Sequence, residues 1–468
     1  MLGLGALVAI CLPVFVSAEA VEFQEEVVDD DQFDAFDVWT GDLDGDGLRD
    51  VVVVSREVNS VVWYRNPGTT DGDWERFVVD DRFTGAITVS IADIDKDGIQ
   101  DIVAGGSFGI SWWRNKGNPV TDSRNWVENE IDDRYTGTTS VYLADIDGDT
   151  YEDVVCSSGT LANVRWYQNP SEGGGSSWRD TDVDTRFFGA YEVWVVNNGG
   201  SMDIVGAARS GSKISWWPNP GVANVFSSRQ WSEVVIDDDF VNAGAVVGAD
   251  IDGDGLQDLV GVAGGGGFGE VSEVTWWKNP GTVTPDWDDT VLTNEFIGAV
   301  NVDVADFDGD GDIDIAAVAQ GFSSGLTWFE NPGAADAADA RKWTSSVLEK
   351  DLVSAVSLAA ADLDNDTDKE IVVVSAFLNQ VSVWRNPRLT PGPEVALGVV
   401  PGSLQTTRAG ADYTTVFEFG SVAGTVYTLQ SSTDAKTWTT VATITGQAGA
   451  TMASATSQDK VTYYRVIE

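Results

Sequence analysis

The sequence predicts an all-β chain: a seven-bladed β-propeller closed by its N-terminal strand, followed by a small β-sandwich. Three observations predict it. One unit recurs with a period of roughly 50 to 56 residues, each copy reads as four short strands, and the copies are offset circularly along the chain. Four-stranded sheets repeated about a ring are the blades of a propeller.

Each unit has three landmarks in fixed order. The first is an acidic loop with Asp at positions 1, 3, 5 and 9 and Gly at position 6: Asp42, Asp44, Asp46, Gly47 and Asp50. It returns as Asp93, Asp95, Asp97 and Asp101; Asp145, Asp147, Asp149 and Asp153; Asp250, Asp252, Asp254 and Asp258; Asp306, Asp308, Asp310 and Asp314; and Asp362, Asp364, Asp366 and Glu370. A decayed copy over 195–203 offers Val195, Asn197 and Gly199 where carboxylates belong. The second landmark is a Trp-aromatic-x-Asn-Pro strand end, first at Trp63–Pro67 and last, in shortened form, at Trp384. The third is a Trp that opens an alternating strand, at Trp74, Trp126, Trp178, Trp231, Trp287 and Trp343.

The last unit lacks a follower of the third kind. The missing copy stands at the other end, where Phe23 to Asp30 matches Trp74 to Asp81. One blade built from both chain ends makes sense only if the repeats close into a ring. Within the second unit the strands read as 86–92, 102–104, 110–114 and 126–131, separated by Gly- and Asp-rich turns. Near-continuous apolar runs such as Val51 to Val54 fit sheets covered on both faces. The propeller is expected over 19–388, a Pro-rich linker over 389–393 and the sandwich module over 394–468.

Charge and composition narrow the function. The chain has 75 acidic against 27 basic residues, a net −48, and 43% hydrophobic residues, enough for a packed core. Such a balance excludes nucleic acid and anionic membrane as partners, since both need a basic surface. Histidine is absent, which removes the commonest general base and transition-metal ligand. The apolar run 2–16, followed by Val16-Ser17-Ala18, reads as a signal peptide over 1–18 with Glu19 as mature start. The run departs from the usual pattern in having no basic residue before it, while Ile10 ill suits Cys11 as a lipidation site. Secretion is therefore expected, as is a free Cys156, and no run is long enough to span a bilayer.

Carboxylates at positions 1, 3, 5 and 9 around a tight glycine turn converge on one point, and position 7 can add its carbonyl. Hard oxygen donors on a flexible loop suit Ca²⁺ rather than zinc or copper. About a third of all the acidic residues lie at these positions. Thr150 and Thr367 replace the glycine, so weaker binding is expected in those two loops, and no ion in the decayed one.

On these residues the chain resembles the FG-GAP/VCBS repeat family, calcium-loop propellers that include integrin α-subunit heads. The similarity runs from about 21 to 390. Phe83-Thr84-Gly85-Ala86, with Tyr135-Thr136-Gly137 and Phe296-Ile297-Gly298-Ala299, is similar to the phenylalanine-glycine half of the motif. The resemblance implies about six Ca²⁺, each held by four acids and the carbonyl of Leu48, Ile99, Tyr151, Leu256, Asp312 or Asp368. It also implies a structural role for the ions, which pin the hairpin between the first and second strands. The C-terminal stretch from Tyr427 to Arg465 is similar to small β-sandwich modules of secreted bacterial proteins.

Three functions fit. The first is an extracellular protein-recognition or adhesion module, with the repeated aromatics Phe33, Phe83, Tyr135, Phe187, Phe240 and Phe296 either ringing one channel mouth or wedged between blades. The second is a lectin using some of the 19 tryptophans. The third is a polysaccharide lyase or hydrolase, disfavoured because no acid/base set is unique to one blade. The degenerate loop and the glycine run 264–267 are the asymmetric features. A non-catalytic binding module for an extracellular protein or glycan is the expectation.

Overall fold

In the computed structural model of the chain, residues 23–69, 72–117, 123–170, 177–264, 272–282, 286–320, 325–350 and 352–386 are described. Beyond them, only the strands Gln405–Ala409, Asp412–Ser421, Val426–Ser432, Thr439–Thr445, Gly449–Ser457 and Tyr463–Ile467 are described, as backbone. The expected signal peptide 1–18, the linker 389–393 and residues 265–267 of the glycine run lie outside the described residues. The chain divides into a unit ending at Pro387 and a second beginning at Arg388.

Blade 1 is an antiparallel sheet of Ala35–Gly41, Asp50–Ser55, Ser60–Arg65 and Glu75–Asp80, in that order. Blades 2 to 6 repeat it, with first strands Ala86–Ala92, Thr138–Ala144, Ala190–Asn198, Ala243–Ala249 and Ala299–Ala305. Blade 7 combines Ala355–Ala361, Glu370–Ser375 and Gln380–Arg385 with the N-terminal strand Gln24–Asp29, in the register Gln24↔Arg385 and Glu26↔Val383. First strands of adjacent blades pack side by side right round the ring, blade 7 against blade 1 included. The expected circular closure is therefore the observed one.

Seven buried apolar clusters fill the seven gaps between blades. The paired aromatics of the third strands explain how a single blade serves two gaps. Side chains alternate across a strand, so Trp63 packs toward blade 2 and Tyr64 toward blade 7. Trp276 and Trp277 likewise face blades 6 and 4. Both members of these pairs are buried, so neither is open for stacking on a sugar between blades.

Every first strand carries a bulge near its start, as between Ala35 and Asp37. A bulge re-aims the next side chain, and here that residue bonds to the neighbouring blade. Asp37 accepts from Val89 N at 2.9 Å, Thr88 Oγ1 from Val141 N at 3.1 Å, and Asn301 Oδ1 from Leu358 N at 3.1 Å. Ser357 Oγ donates to Asp37 Oδ1 at 2.7 Å across the ring closure. The corresponding residues of blades 4 and 5 are Glu192 and Ala245, and Glu192 makes no such bond.

The phenylalanine-glycine element needs one correction. Tyr135, Phe187, Phe240 and Phe296 are buried wedges between blades, at most 5% exposed. Phe33 is 48% exposed, because the buried slot before blade 1 holds Gln32 instead. Gln32 satisfies itself there through Ser55 and the Tyr64 hydroxyl, its Nε2 donating at 2.6 Å and its Oε1 accepting at 2.9 Å. The register is thus one residue earlier than the aromatic pattern suggests.

In the second unit the strands form two three-stranded antiparallel sheets, 405–409/412–421/449–457 and 439–445/426–432/463–467.

Candidate metal centres

Each acidic loop spans the end of the hairpin between first and second strands. Position 9 is the first residue of the second strand and pairs with the last residue of the first: Gly41↔Asp50, Ala92↔Asp101, Ala305↔Asp314 and Ala361↔Glu370. The loop folds on its first carboxylate. Asp42 accepts from Gly45 N at 2.8 Å and Gly47 N at 3.0 Å, and Asp306 accepts equivalently from Gly309 and Gly311. Position 6 turns through positive φ, from 88° to 96° at Gly47, Gly98, Gly255 and Gly311. Thr150 and Thr367 adopt φ of 79° and 85°, which strains a β-branched residue. That strain is the physical basis for the weaker sites expected there.

The loops bring carboxylate oxygens of positions 1, 3 and 9 within 4.8 Å of one another in Asp42/Asp44/Asp50, Asp93/Asp95/Asp101, Asp145/Asp147/Asp153 and Asp306/Asp308/Asp314. In blade 5 the set is Asp250, Asp252 and Asp254. Position 5 elsewhere caps the turn, as Asp46 Oδ1 accepting Leu48 N at 2.9 Å. Buried oxygens of Asp250, Asp252, Asp362 and Glu370 have no hydrogen-bond partner. Convergent, partly orphaned hard oxygens are a donor set that fits a divalent cation.

Position 9 is also structural. Asp50 is fully buried, its Oδ2 accepting from Leu43 N at 3.0 Å and its Oδ1 from Asn66 N at 2.9 Å. Burial pushes Asp50 and Asp258 up to about 7, and Asp101, Asp153, Asp314 and Glu370 up to about 8. Backbone N–H bonds pull against that shift, and the neighbouring loop carboxylates add to it.

Two sets of residues adjoin these centres, the strand-end Asn, whose partner the sequence pattern did not reveal, and the residue before it, which that pattern did not single out. The Asn of the strand-end motif staples its blade to the previous one. Asn115 Nδ2 donates to Leu43 O of blade 1 at 2.8 Å, Asn169 to Ile94 O at 2.9 Å, and Asn66 to Leu363 O of blade 7 at 2.7 Å. The residue before that Asn reaches position 3: Arg65 to Asp44 at 2.7 Å, Arg114 to Asp95 at 2.5 Å, Gln168 to Asp147 at 2.6 Å, and Lys278 to Asp252 and Asp254. Blade 6 differs, with Glu330 in this place.

The decayed loop of blade 4 closes as a tight hairpin, Asn198↔Ser201, through Gly199 and Gly200 at φ 66° and 95°. Asp203 keeps position 9. Its oxygens are met by Asn198 Nδ2 at 3.1 Å, Ser201 Oγ at 3.0 Å, Trp216 Nε1 at 3.1 Å and Asn219 N at 2.8 Å. Protein donors stand where the other loops group carboxylate oxygens that could hold a cation.

Comparison with known proteins agrees with this geometry. The FG-GAP-like repeat profile matches residues 42–104, 93–156 and 250–317, spanning the loops of blades 1, 2, 3, 5 and 6. No curated protein matches the sequence significantly. Among solved structures, the extracellular domain of a one-component system of B. thetaiotaomicron is 9% identical over 92% of this chain and 54% of that one, TM-score 0.48. This chain thus spans about half of that domain's length. Domains 1–2 of Drosophila Semaphorin 1a are 12% identical over 81% and 90% of the two chains, TM-score 0.43. The V. cholerae biofilm matrix protein Bap1 is 12% identical over 75% and 77%, TM-score 0.34. With the repeat profile falling on loop after loop of a closed seven-bladed ring, the chain is a seven-bladed β-propeller with FG-GAP-like repeats over 42–104, 93–156 and 250–317.

Proposed function

We propose that this chain is a secreted, calcium-loaded binding module that catalyses no reaction and meets an extracellular protein ligand on the face opposite its acidic loops. The observation that carries the reading is a rim of exposed apolar side chains on that face. The hairpins between second and third strands present Phe108, Phe377, Val58 and Leu161 there, and the loops entering the first strands add Phe33, Phe188 and Ile297. Phe377 is 74% exposed, and Phe108 and Phe188 are each 67% exposed. These side chains stand on six of the seven blades around one face, an arrangement that suits contact with an extended protein surface.

The rim is hydrogen-bonded to its blades. The hairpins of six blades dock on the loops entering them, as Ser107 N donating to Gly85 O at 3.1 Å and Arg209 N to Gly189 O at 2.8 Å. The apolar run 2–16 supports secretion, and loops of this kind in extracellular modules load at about millimolar calcium. The test is an array of purified extracellular matrix proteins probed with the calcium-loaded chain and with a triple variant, Phe108→Asp, Phe188→Asp and Phe377→Asp. A loss of binding of tenfold or more with unchanged melting supports the reading. Equal binding by the variant would move the ligand to another face.

A further inference from the structure

Sixteen of the 19 tryptophans fall at repeated positions, where the paired aromatics are core. Trp39 and Trp194 belong to neither landmark. They sit in the first strands of blades 1 and 4, only partly buried, with ring centroids 6.1 Å apart at 49°. Tyr142 of blade 3 backs Trp194 at 4.4 Å. On the acidic-loop side these two tryptophans border a cavity of about 480 Å³ at the mouth of the channel, within the roughly 300–1,000 Å³ of small-ligand sites.

The cavity exists because the first strands of blades 6 and 7 carry small residues facing it, among them Ala305, Ala359 and Ala361. Its polar groups come from different blades. Asp303 lines it, with its oxygens held by Val304 N and Ala360 N at 2.9 and 2.8 Å. Arg49 and Lys369, both at position 8 of their loops, stand at the rim. The same position elsewhere holds Gln100, Glu152, Met202, Gln257 and Ile313, so at this position bases stand in blades 7 and 1 alone. Arg49 donates to Thr40 O at 3.2 Å. Among the described residues neither base is paired with a carboxylate, in a chain of net charge −48.

We propose that this cavity binds a uronic acid, free or as a residue of an acidic polysaccharide. Indole faces suit the C–H face of a pyranose, Asp303 suits a ring hydroxyl, and Arg49 and Lys369 suit the sugar carboxylate. Asp306 and Asp362 also line the cavity, which disfavours a polyanion such as a nucleotide. One carboxylate on an otherwise neutral polyol is the charge that fits. This site is independent of the apolar rim on the opposite face.

The test is calorimetric titration of the full calcium-loaded chain with D-glucuronate, a glucuronate oligosaccharide and D-glucose, at one fixed free calcium concentration because uronates bind calcium. Glucuronate is expected to bind at least tenfold tighter than glucose. Lys369→Ala and Arg49→Ala should each weaken it about tenfold, while Gln257→Ala, at the same loop position of blade 5, should leave it unchanged. Trp39→Phe, which keeps the packing, should reduce the ligand-induced change in tryptophan fluorescence. An oligosaccharide bound more tightly than the monosaccharide supports the polymer as source, and equal binding supports the free sugar. Equal affinity for glucose and glucuronate, no binding of either, or full affinity in both base variants would overturn the proposal.

Discussion

Position 9 of the acidic loops does two things with one carboxylate, and comparison of Asp50 with Asp203 separates them. Both accept the backbone N–H of the stapling Asn, Asn66 or Asn219. Only Asp50 shares its site with other loop carboxylates, while Asp203 is saturated by protein donors. The staple should therefore matter with or without metal. Asn115→Ala removes bonds to Leu43 O and Gln100 O and the bond that Gly117 N donates to Asn115 Oδ1, and a cost of about 2 kcal/mol is expected from one buried and two partly buried bonds. Urea denaturation in calcium and in chelator should show the same cost; a loss confined to the calcium-loaded form would contradict it. A second residue-scale prediction concerns Glu192. Desolvation first, then Asp37 and Asp303, hold its carboxyl well above the usual range, with Arg209 opposing. A carboxyl raised in the fold contributes stability that is full in acid and lost as pH rises past its ordinary value. Glu192→Gln should then leave stability unchanged near pH 4 and raise it by about 1 kcal/mol at pH 8. Melting curves at the two pH values decide, and a pH-independent gain would refute the assignment.

A cation held by the acidic loop would be linked to blade packing. Position 9 holds the position-2 N–H, and the position-2 carbonyl receives the next blade's Asn, as Ile94 does between Asp101 and Asn169. The position-2 side chain is itself buried, at most 3% exposed in Leu43, Ile94, Ile146, Ile251, Phe307 and Leu363. A cation that fixes the loop thus also fixes the contact between blades. A site saturated a hundredfold adds about 2.7 kcal/mol, so excess chelator should lower Tm by roughly 10 °C or more. Metal analysis should find about six calcium ions in the dialysed chain. Unchanged melting with no bound calcium would sink the metal reading. The base beside position 3 competes for the same oxygens. Lys278→Gln should therefore tighten calcium binding to the 250–258 loop, read as a shift of one site in a calcium titration; unaltered affinity would show that the ammonium swings clear at no cost.

The whole ring depends on the strand 24–29. Without it, blade 7 exposes the edge of Gln380–Arg385 and loses Arg385 Nε donating to Glu26 Oε2 at 2.8 Å. An open strand edge is a template for pairing with another chain. Deleting residues 1–30 should convert a monomeric, cooperatively melting chain into one that associates and melts lower. Size-exclusion chromatography with a thermal scan reads both, and a truncated monomer of unchanged Tm would mean that the first strands alone close the ring.

What repeats could be read from the sequence, because a period exposes every residue that does the same job in each blade. The acidic loops, the four strands per unit and the circular offset between Phe23 and Trp384 all belong to that class. The register before blade 1 could not, since Phe33 keeps the aromatic pattern while Gln32 fills the slot, and only packing distinguishes them. The staple Asn was visible as a recurring letter, but its partner lies in the preceding blade, as with Asn66 and Leu363, 297 residues apart. The channel-mouth cavity was the least visible. Arg49, Trp194, Asp303 and Lys369 come from four blades and share no motif, and they meet because closing the ring brings unlike first strands around one axis. Local spacing determined the units and their acidic loops; the tertiary structure alone decided where the units differ enough to leave a cavity lined from several blades.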